Sequence, residues 1–189
     1  MSMIRRLWDL IPLMLLWLML SIFLWSFVFN FLTDTAPENK VVLFADAPVT
    51  DAAQLAVLLE EVIEDPVRMV QVRSFSYAMM GSAEIETADL YIVGASQAET
   101  YREWFAPLPP QLLEADELLE LDGVPFGVKV YDAVAQSGAA AAFIGYASPG
   151  RTIEDCYLFF GKRSMHVQAH DDSVDDQAVN CALRLLDIP

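Results

Sequence analysis

The chain has 189 residues, of which 55% are hydrophobic and 20% charged. Its 27 acidic and 11 basic side chains give a net charge of -16, which excludes an extended nucleic-acid-binding surface because phosphate contacts need clustered Lys and Arg. Two cysteines exclude a disulfide-dense scaffold and a four-cysteine zinc ribbon. A mean hydropathy of +0.36 is high for a soluble domain and indicates that part of the chain lies in lipid.

The first element is a long apolar run. From Leu10 to Thr33 there are 24 consecutive positions without a charged residue. About 20 helical residues cross a hydrocarbon core of about 30 Å, so the run predicts a transmembrane anchor in the lipid bilayer. A cleaved signal peptide is the alternative, but its apolar region usually covers about 7–15 residues. Pro37 directly follows the small-residue stretch at 33–36 and disfavours cleavage there, so a retained anchor is predicted.

The charges on either side of this run predict its orientation. Arg5 and Arg6 precede it with only Asp9 opposing them, whereas 26 of the 27 acidic residues follow Thr33. The positive-inside rule then places the N-terminus in the cytoplasm and the rest of the chain outside the cell membrane. The predicted order is a cytoplasmic N-terminus, a transmembrane anchor, a linker and an extracytoplasmic α/β domain, at residues 1–9, 10–32, 33–40 and 41–189.

The first half of the domain contains short apolar runs and one amphipathic stretch. The runs predict strands at residues 41–45, 67–76 and 88–94, the last of them central in the sheet. Between the first two, apolar residues at helical spacing predict a helix capped by Thr50 and ended by Pro66. Its apolar stripe consists of Ala52, Leu55, Ala56, Leu59, Val62 and Ile63.

A second helix is predicted after the third strand. Ser96 and Glu99 match a capping box, and this helix continues through Tyr101 and Trp104. A proline cluster stops it, at Pro107, Pro109 and Pro110.

The second half is richer in predicted strands. Alternating apolar residues predict a half-buried strand, formed around Phe126, Val128 and Val130. Two further apolar runs, residues 139–147 and 155–161, are predicted to form a hairpin. A closing helix is predicted after Ser173, its cap, with an apolar stripe of Val174, Ala178, Cys181, Ala182 and Leu185. This order of elements favours a mixed α/β sheet over a sandwich.

Three segments of the middle region resemble bacterial extracellular solute-binding proteins. They read A-D-L-Y-I-V-G-A-S from Ala88, F-A-P-L-P from Phe105 and D-G-V-P-F-G-V-K-V-Y-D from Asp122 to Asp132. The resemblance implies a compact mixed-sheet domain similar to one lobe of a periplasmic-binding-protein type 2 fold. Members of that family are usually about twice as long and have two lobes, whereas only about 40 residues separate Asp132 from the closing helix here. The resemblance therefore implies a one-lobed relative anchored by its helix.

Four residues near the resembled cleft are the predicted ligand-binding set: Tyr101, Trp104, Tyr131 and Asp132. Flat aromatic rings stack on ligands and anchor interfaces. Ligands of open α/β sheets bind beyond the carboxyl ends of the strands, where Tyr131 and Asp132 are predicted to lie. The alternative for Trp104, as for Phe126, is a place in the core.

Metal binding is not predicted, although His166 and His170 precede Asp171 and Asp172. The spacing of the two histidines suits a metal only on a helix, and this stretch is predicted to precede one. The aspartates are explained as acids at a helix start.

Neither cofactor binding nor catalysis is predicted. Cys156 and Cys181 fall on faces predicted to be buried, where they form either a disulfide or two separate apolar thiols. An acidic group for hydrolysis could be drawn from Glu84, Glu86 and Asp89, but such groups arise by chance in a chain with 27 acids. Nucleophile-elbow, phosphate-loop and zinc-helix motifs do not occur in the sequence.

The sequence thus predicts a non-enzymatic, membrane-anchored extracytoplasmic binding module. Its partner is a small solute or a membrane protein such as a transporter component, because tethering lets a domain act at modest affinity. The alternatives are an extracytoplasmic hydrolase that uses carboxylates and a structural subunit that acts through its transmembrane helix.

Overall fold

A computed structural model of the chain describes residues 2–33, 35–74, 82–115, 117–148, 150, 152–167 and 176–189. The chain divides into two compact units, Met1–Ala36 and Pro37–Pro189. The second unit is called the α/β domain below.

The first unit consists of one helix, α1 (Ser2–Thr33), of 32 residues. At about 1.5 Å per residue its length exceeds the roughly 30 Å of a hydrocarbon core. Its segment Ile11–Phe29 has a mean hydropathy of 2.2 and no buried residue. The predicted apolar helix is therefore present, is long and apolar enough to cross a membrane, and extends beyond residues 10–32 at both ends.

The α/β domain is built on a mixed sheet. Its strands are β1 (Lys40–Ala45), β2 (Met69–Ser74), β3 (Leu90–Gly94), β4 (Phe105–Ala106), β5 (Leu118–Leu121), β6 (Val124–Asp132), β7 (Ser137–Gly138) and β8 (Cys156–Gly161). The main path runs β2-β1-β3-β8-β6-β5, while β4 pairs with β8 and β7 with β6. Strand β1 is parallel to β2 and β3, and the other pairs are antiparallel. The mixed α/β class is confirmed.

The predicted strands at residues 41–45 and 88–94 are present as β1 and β3. All five residues of β3 are buried between β1 and β8, so its predicted central place is confirmed. The strand predicted at residues 67–76 is present as β2 over Met69–Ser74, and its predicted residues 75 and 76 lie outside the described residues.

Two helices cover one face of this sheet. Helix α2 (Ala52–Glu60) buries Leu55 and Leu59 completely. The prediction that Thr50 caps it is wrong, because the Asp51 carboxylate accepts the Gln54 N–H at 2.9 Å. The Thr50 hydroxyl instead donates to the carbonyls of residues 142 and 143. The helix also ends at Glu60, before Pro66 is reached.

Helix α5 (Gln177–Leu186) closes the domain against the same core. Its predicted stripe is confirmed at four buried positions: Ala178, Cys181, Ala182 and Leu185. Its first residue follows Asp176, and the predicted cap Ser173 and stripe residue Val174 lie outside the described residues.

The long helix predicted from Ser96 to Trp104 is wrong. The chain forms a one-turn helix, α4 (Ala95–Ala98), and then a 3-10 turn over Arg102–Trp104. The N-cap of α4 is Gly94, and the Ser96 N–H and hydroxyl both donate to the Glu154 carboxylate. Ser96 therefore does not cap a helix with Glu99.

The predicted hairpin of residues 139–147 and 155–161 is also wrong. The second run is β8, but it pairs with β3, β4 and β6. The first run forms turns, and only Ile144 makes an isolated bridge, to Val49. Its residues Ala140, Ile144 and Tyr146 are buried, so the run is apolar because it packs as a loop.

Side chains of alternate strand residues point to opposite faces of the sheet, and each face packs against its own core. Leu43 and Ile92 face the larger core with α2 and α5, while their neighbours Phe44 and Tyr91 face a smaller, aromatic core. The aromatic core also contains Phe105 stacked on Phe159, with ring centroids 4.1 Å apart, and is bounded by the short helix α3 (Ala83–Glu86).

Candidate functional site

A small cleft opens into the aromatic core and has a volume of about 250 Å³ including its mouth. Its lining consists of Phe44, Asp46, Tyr91, Val93, Tyr101, Trp104 and Phe105. This set is called the aromatic cleft below.

Strands β1 and β3 build the floor of the aromatic cleft. Their parallel register sets Phe44 opposite Tyr91, so the two rings lie side by side on the same face. Asp46 follows the last residue of β1, and its N–H donates to the Ile92 carbonyl at 2.7 Å. The carboxylate of Asp46 is thereby held beside the carboxyl ends of both parallel strands, half-buried at the cleft.

A tight turn builds the wall. The Trp104 N–H donates to the Tyr101 carbonyl at 2.9 Å, which brings the two side chains onto one another. Their rings stack with centroids 5.0 Å apart and planes at 16°. Trp104 also approaches Tyr91, at 6.4 Å between centroids, and its carbonyl accepts the Lys162 N–H at 2.7 Å. Two hydrogen bonds therefore fix the backbone of this half-buried tryptophan.

The charge of the lining comes from Asp46. Tyr91 is neutral, because burial raises the pKa of its phenol far above the usual range and its hydroxyl donates to the Ile85 carbonyl. Arg102 lies in the same turn as Trp104, but its guanidinium pairs with Asp122 at 2.5 Å and Glu99 at 3.6 Å. Aromatic faces and a single carboxylate thus define the chemistry of the described cleft.

Two of the four predicted ligand-binding residues, Tyr101 and Trp104, line the aromatic cleft. Tyr131 belongs to the other core, where it is 4% exposed and stacks on Tyr146 at 4.7 Å. Asp132 closes β6 and accepts the N–H groups of residues 134 and 135. The structure therefore does not bring the four together.

Asp132 instead belongs to an ion-pair group around Lys129. The Lys129 ammonium contacts the carboxylates of Glu117, Asp155 at 3.0 Å and Asp132 at 3.2 Å. These contacts raise the pKa of Lys129, and the hydrogen bond with Glu117 contributes most. Backbone N–H donation, chiefly from Ala135, and Lys129 lower the pKa of Asp132. The group joins the ends of neighbouring strands and holds Lys129 as a fixed cation.

A second polar group is buried at the start of β3. The Asp89 carboxylate, 3% exposed, accepts the Val42 N–H at 2.8 Å and the Ser164 hydroxyl at 2.6 Å. His166 is 1% exposed; its N–H donates to the Ser164 hydroxyl at 3.0 Å and its Nε2 lies 3.2 Å from the Pro37 carbonyl oxygen. Burial raises the pKa of Asp89, against smaller opposing effects of these hydrogen bonds and of His166. This group ties the start of the domain to the end of β8.

Glu84, Glu86 and Asp89, the acids considered and set aside for hydrolysis, do not share one site. Glu84 pairs with Arg73, Glu86 pairs with Arg163, and Asp89 is buried as described. Within the part of the chain that the structure describes, no cluster of three His, Cys, Asp or Glu side chains could hold a metal ion. Of the metal-like histidines and aspartates in the sequence, His170, Asp171 and Asp172 lie outside that part.

Cys156 and Cys181 are two separate buried thiols. Burial, with a smaller effect of Asp89, raises the pKa of Cys181 to about 12. An exposed thiol has a pKa of about 8.5 and only the thiolate reacts, so we expect Cys181 to alkylate about a thousandfold more slowly than a free cysteine at pH 8. Iodoacetamide labelling of a Cys156→Ser variant, followed by mass spectrometry, measures this rate. Labelling in guanidinium is the control, and rapid labelling of the folded chain would contradict the buried placement.

Sequence reasoning missed Phe44, Asp46 and Tyr91 as cleft residues. The available pattern was Asp46 itself, a carboxylate one position beyond a buried strand, where ligands of α/β sheets bind. Phe44 and Tyr91 are ordinary strand residues in the sequence, and only the parallel register of β1 and β3 brings them together.

Comparison with known proteins gives no relative. No family model, curated protein or solved structure matches the chain.

Proposed function

We propose that this protein is a non-enzymatic, membrane-anchored binding module whose α/β domain lies outside the cytoplasm. We further propose that it is related to one lobe of a solute-binding protein and recognises a small solute or a membrane partner such as a transporter component. The observation that carries the proposal is the aromatic cleft at the carboxyl ends of β1 and β3. Open α/β sheets bind ligands at this edge.

The dimensions of the aromatic cleft restrict what it binds. The volume of about 250 Å³ includes open solvent at the mouth, so the enclosed part of the cleft is far smaller than the roughly 300–1,000 Å³ of sites that enclose a whole ligand. It therefore suits one compact group, either a very small solute or a single side chain of a partner. Rigid rings such as Trp104 supply contact area at low entropic cost, as at interface hot spots.

Trp104 provides a direct test, because the other three tryptophans, Trp8, Trp17 and Trp25, lie in α1. In a full-length variant with these three changed to phenylalanine, tryptophan emission reports on the aromatic cleft alone. We expect at least one solute in a panel, or a purified membrane partner, to change the emission of Trp104 saturably.

A photo-crosslinker gives the matched measurement for a protein partner. Placed at position 104 in the cell membrane, it is expected to yield a defined adduct. Leu183 is the control position. It is 40% exposed, and it lies on α5, which packs against the larger core and not against the aromatic core. The proposed binding function fails when no solute changes the emission and positions 104 and 183 give the same adducts.

The proposed orientation is tested separately. Arg5 and Arg6 flank the apolar segment Ile11–Phe29 on its N-terminal side. Positive charges within about 15–20 residues of a span favour its cytoplasmic end. We therefore expect an alkaline phosphatase fused after Pro189 to be active, and an Arg5→Glu/Arg6→Glu variant to lose part of that activity. Activity of a cytoplasmic reporter at the same fusion point would contradict the orientation.

A further inference from the structure

We propose that the sheet face beside Trp104 is a docking surface for a basic amphipathic segment of a partner protein. This inference rests on the proposed binding function and names the partner chemistry of the same region. The apolar centre of the surface consists of Trp104, Leu119, Phe126 and Tyr157, which are half-buried and pack against the aromatic core. This set is called the docking face below.

The docking face lies on the half of the sheet that is formed by β8, β6 and β5. In the described part of the chain, the helices on the aromatic side are the one-turn segments α3 and α4, which bury Ile85 and Ala98 in the aromatic core. They leave Leu119, Phe126 and Tyr157 partly exposed on three adjacent strands. Apolar side chains that are left partly exposed next to one another mark interaction surfaces.

An ion-pair group bounds the docking face towards the end of β6. Lys129 is the register partner of Tyr157, so both side chains lie on this side of the sheet. The Lys129 ammonium contacts the carboxylates of Glu117, Asp132 and Asp155. Three carboxylates around one ammonium leave this group with a net charge of -2.

A second ion-pair group bounds the docking face before the start of β6. Arg102, in the same turn as Trp104, contacts Asp122 at 2.5 Å and Glu99 at 3.6 Å. Asp122 lies in the turn between β5 and β6, so these contacts join the Trp104 turn to that hairpin. The side chains of Asp122 and Glu99 are 74% and 70% exposed, and the group keeps a net charge of -1.

The charges at the two ends of the docking face select the partner. Strand residues rise by about 3.3 Å, so the chain from Asp122 to Lys129 sets the two groups roughly 20 Å apart. A helix of about 14 residues covers this distance. Apolar residues along such a helix, with Lys or Arg near both of its ends, complement the docking face, whereas acidic segments and anionic lipid surfaces are repelled.

The test compares two synthetic helical peptides of about 14 residues. Both carry leucines along one face; one has lysines near both ends, and the other has glutamates at the same positions. The full-length protein is held in phosphatidylcholine nanodiscs, and binding to nanodiscs without protein is subtracted. We expect the lysine peptide to bind about tenfold or more tightly than the glutamate peptide, and its affinity to fall with added sodium chloride.

Matched variants distinguish the docking face from the general negative charge of the chain. Glu117→Gln removes a carboxylate that pairs with Lys129 and is 56% exposed. Glu61→Gln removes one that pairs with Arg184 of α5, beside the larger core, and is 55% exposed. We expect Glu117→Gln to weaken binding of the lysine peptide about two- to fivefold and Glu61→Gln to leave it unchanged. Equal loss in both variants would overturn the docking face.

A photo-crosslinker locates the contact. An aromatic crosslinker replaces the ring of Phe126, and Leu183 on α5 is again the control position. We expect the lysine peptide to form an adduct from position 126 and not from position 183. Similar adducts from both positions contradict the proposal. Thermal unfolding shows whether each variant is folded, and the comparison of the two peptides on the native chain stands without the variants.

The outcomes separate this inference from the proposed function. Equal or tighter binding of the glutamate peptide overturns the partner chemistry named here, and so does binding of neither peptide. The solute panel and the crosslinks at positions 104 and 183 in the cell membrane decide the proposed function independently.

Discussion

Replacing Gly161 with alanine is expected to destabilise the α/β domain by about 3 kcal/mol or more, at the upper end of overpacking effects. A Cβ at this position would lie 1.9 Å from the Ala88 carbonyl oxygen and 3.3 Å from the Tyr91 ring. The nearest obstacle is a backbone atom, so no rotamer change relieves it. Gly161 also donates its N–H to the Asp89 carbonyl at 2.8 Å, and separating the chains would lengthen this bond.

Gly145→Ala is the matched control. There the Cβ would meet the Ser148 hydroxyl oxygen at 2.4 Å, but this is a side-chain atom that rotates away, and the nearest backbone atom lies 3.3 Å distant. Guanidinium unfolding of the full-length variants in detergent measures the loss of stability caused by each substitution. Equal midpoints for Gly161→Ala and Gly145→Ala would contradict the close approach of β8 to Ala88.

The sequence predicts the elements whose pattern is local. Strands β1, β3 and β8 coincide with short apolar runs, and α2 and α5 coincide with apolar stripes at helical spacing. These patterns arise because each element buries a fixed face against the core, and burial is recorded directly in the residue types.

The errors arise where a distant residue decides the local structure. Residues 139–147 are as apolar as a strand, but they are buried as a loop that meets Val49, and composition alone does not separate these cases. Ser96 has the sequence of a helix cap, but Glu154, 58 residues away, takes its N–H and hydroxyl. Neither contact is encoded in the neighbouring residues.

The sequence also singles out only part of the aromatic cleft. Tyr101 and Trp104 are predicted from their place near the cleft of the resembled family, and both line the aromatic cleft. Tyr131 was misplaced because the register of β6 against β8 shifts between Lys129 and Tyr131. A bulge of this kind interrupts alternation, and Val130 and Tyr131 both enter the larger core. Strand alternation alone does not reveal such a shift.

Replacing Asp89 with alanine is expected to lower the free energy of unfolding by about 2–5 kcal/mol. The substitution leaves the Val42 N–H and the Ser164 hydroxyl without their buried acceptor, and each unsatisfied group costs about 1–3 kcal/mol. Asp89→Asn is expected to lose much less, because the amide oxygen accepts one hydrogen bond and the amide nitrogen donates to the Ser164 oxygen. Guanidinium unfolding at neutral pH compares the two variants.

The pH dependence of the unfolding free energy tests whether the Asp89 carboxyl group is desolvated in the folded chain. Burial raises the pKa of Asp89 in the folded chain, whereas in the unfolded chain it lies near the usual value of about 3.9. The folded state thus holds the proton more tightly, so the stabilising contribution of the protonated form is complete below about pH 3.9 and is lost as the pH rises through the higher folded value.

The difference in unfolding free energy between the native chain and Asp89→Asn isolates this effect from the other acids. We expect the native chain to lose stability relative to Asp89→Asn as the pH rises from about 4 towards neutrality. A difference that is constant with pH, or that changes in the opposite direction, would show that the carboxyl group is not held in a desolvated site.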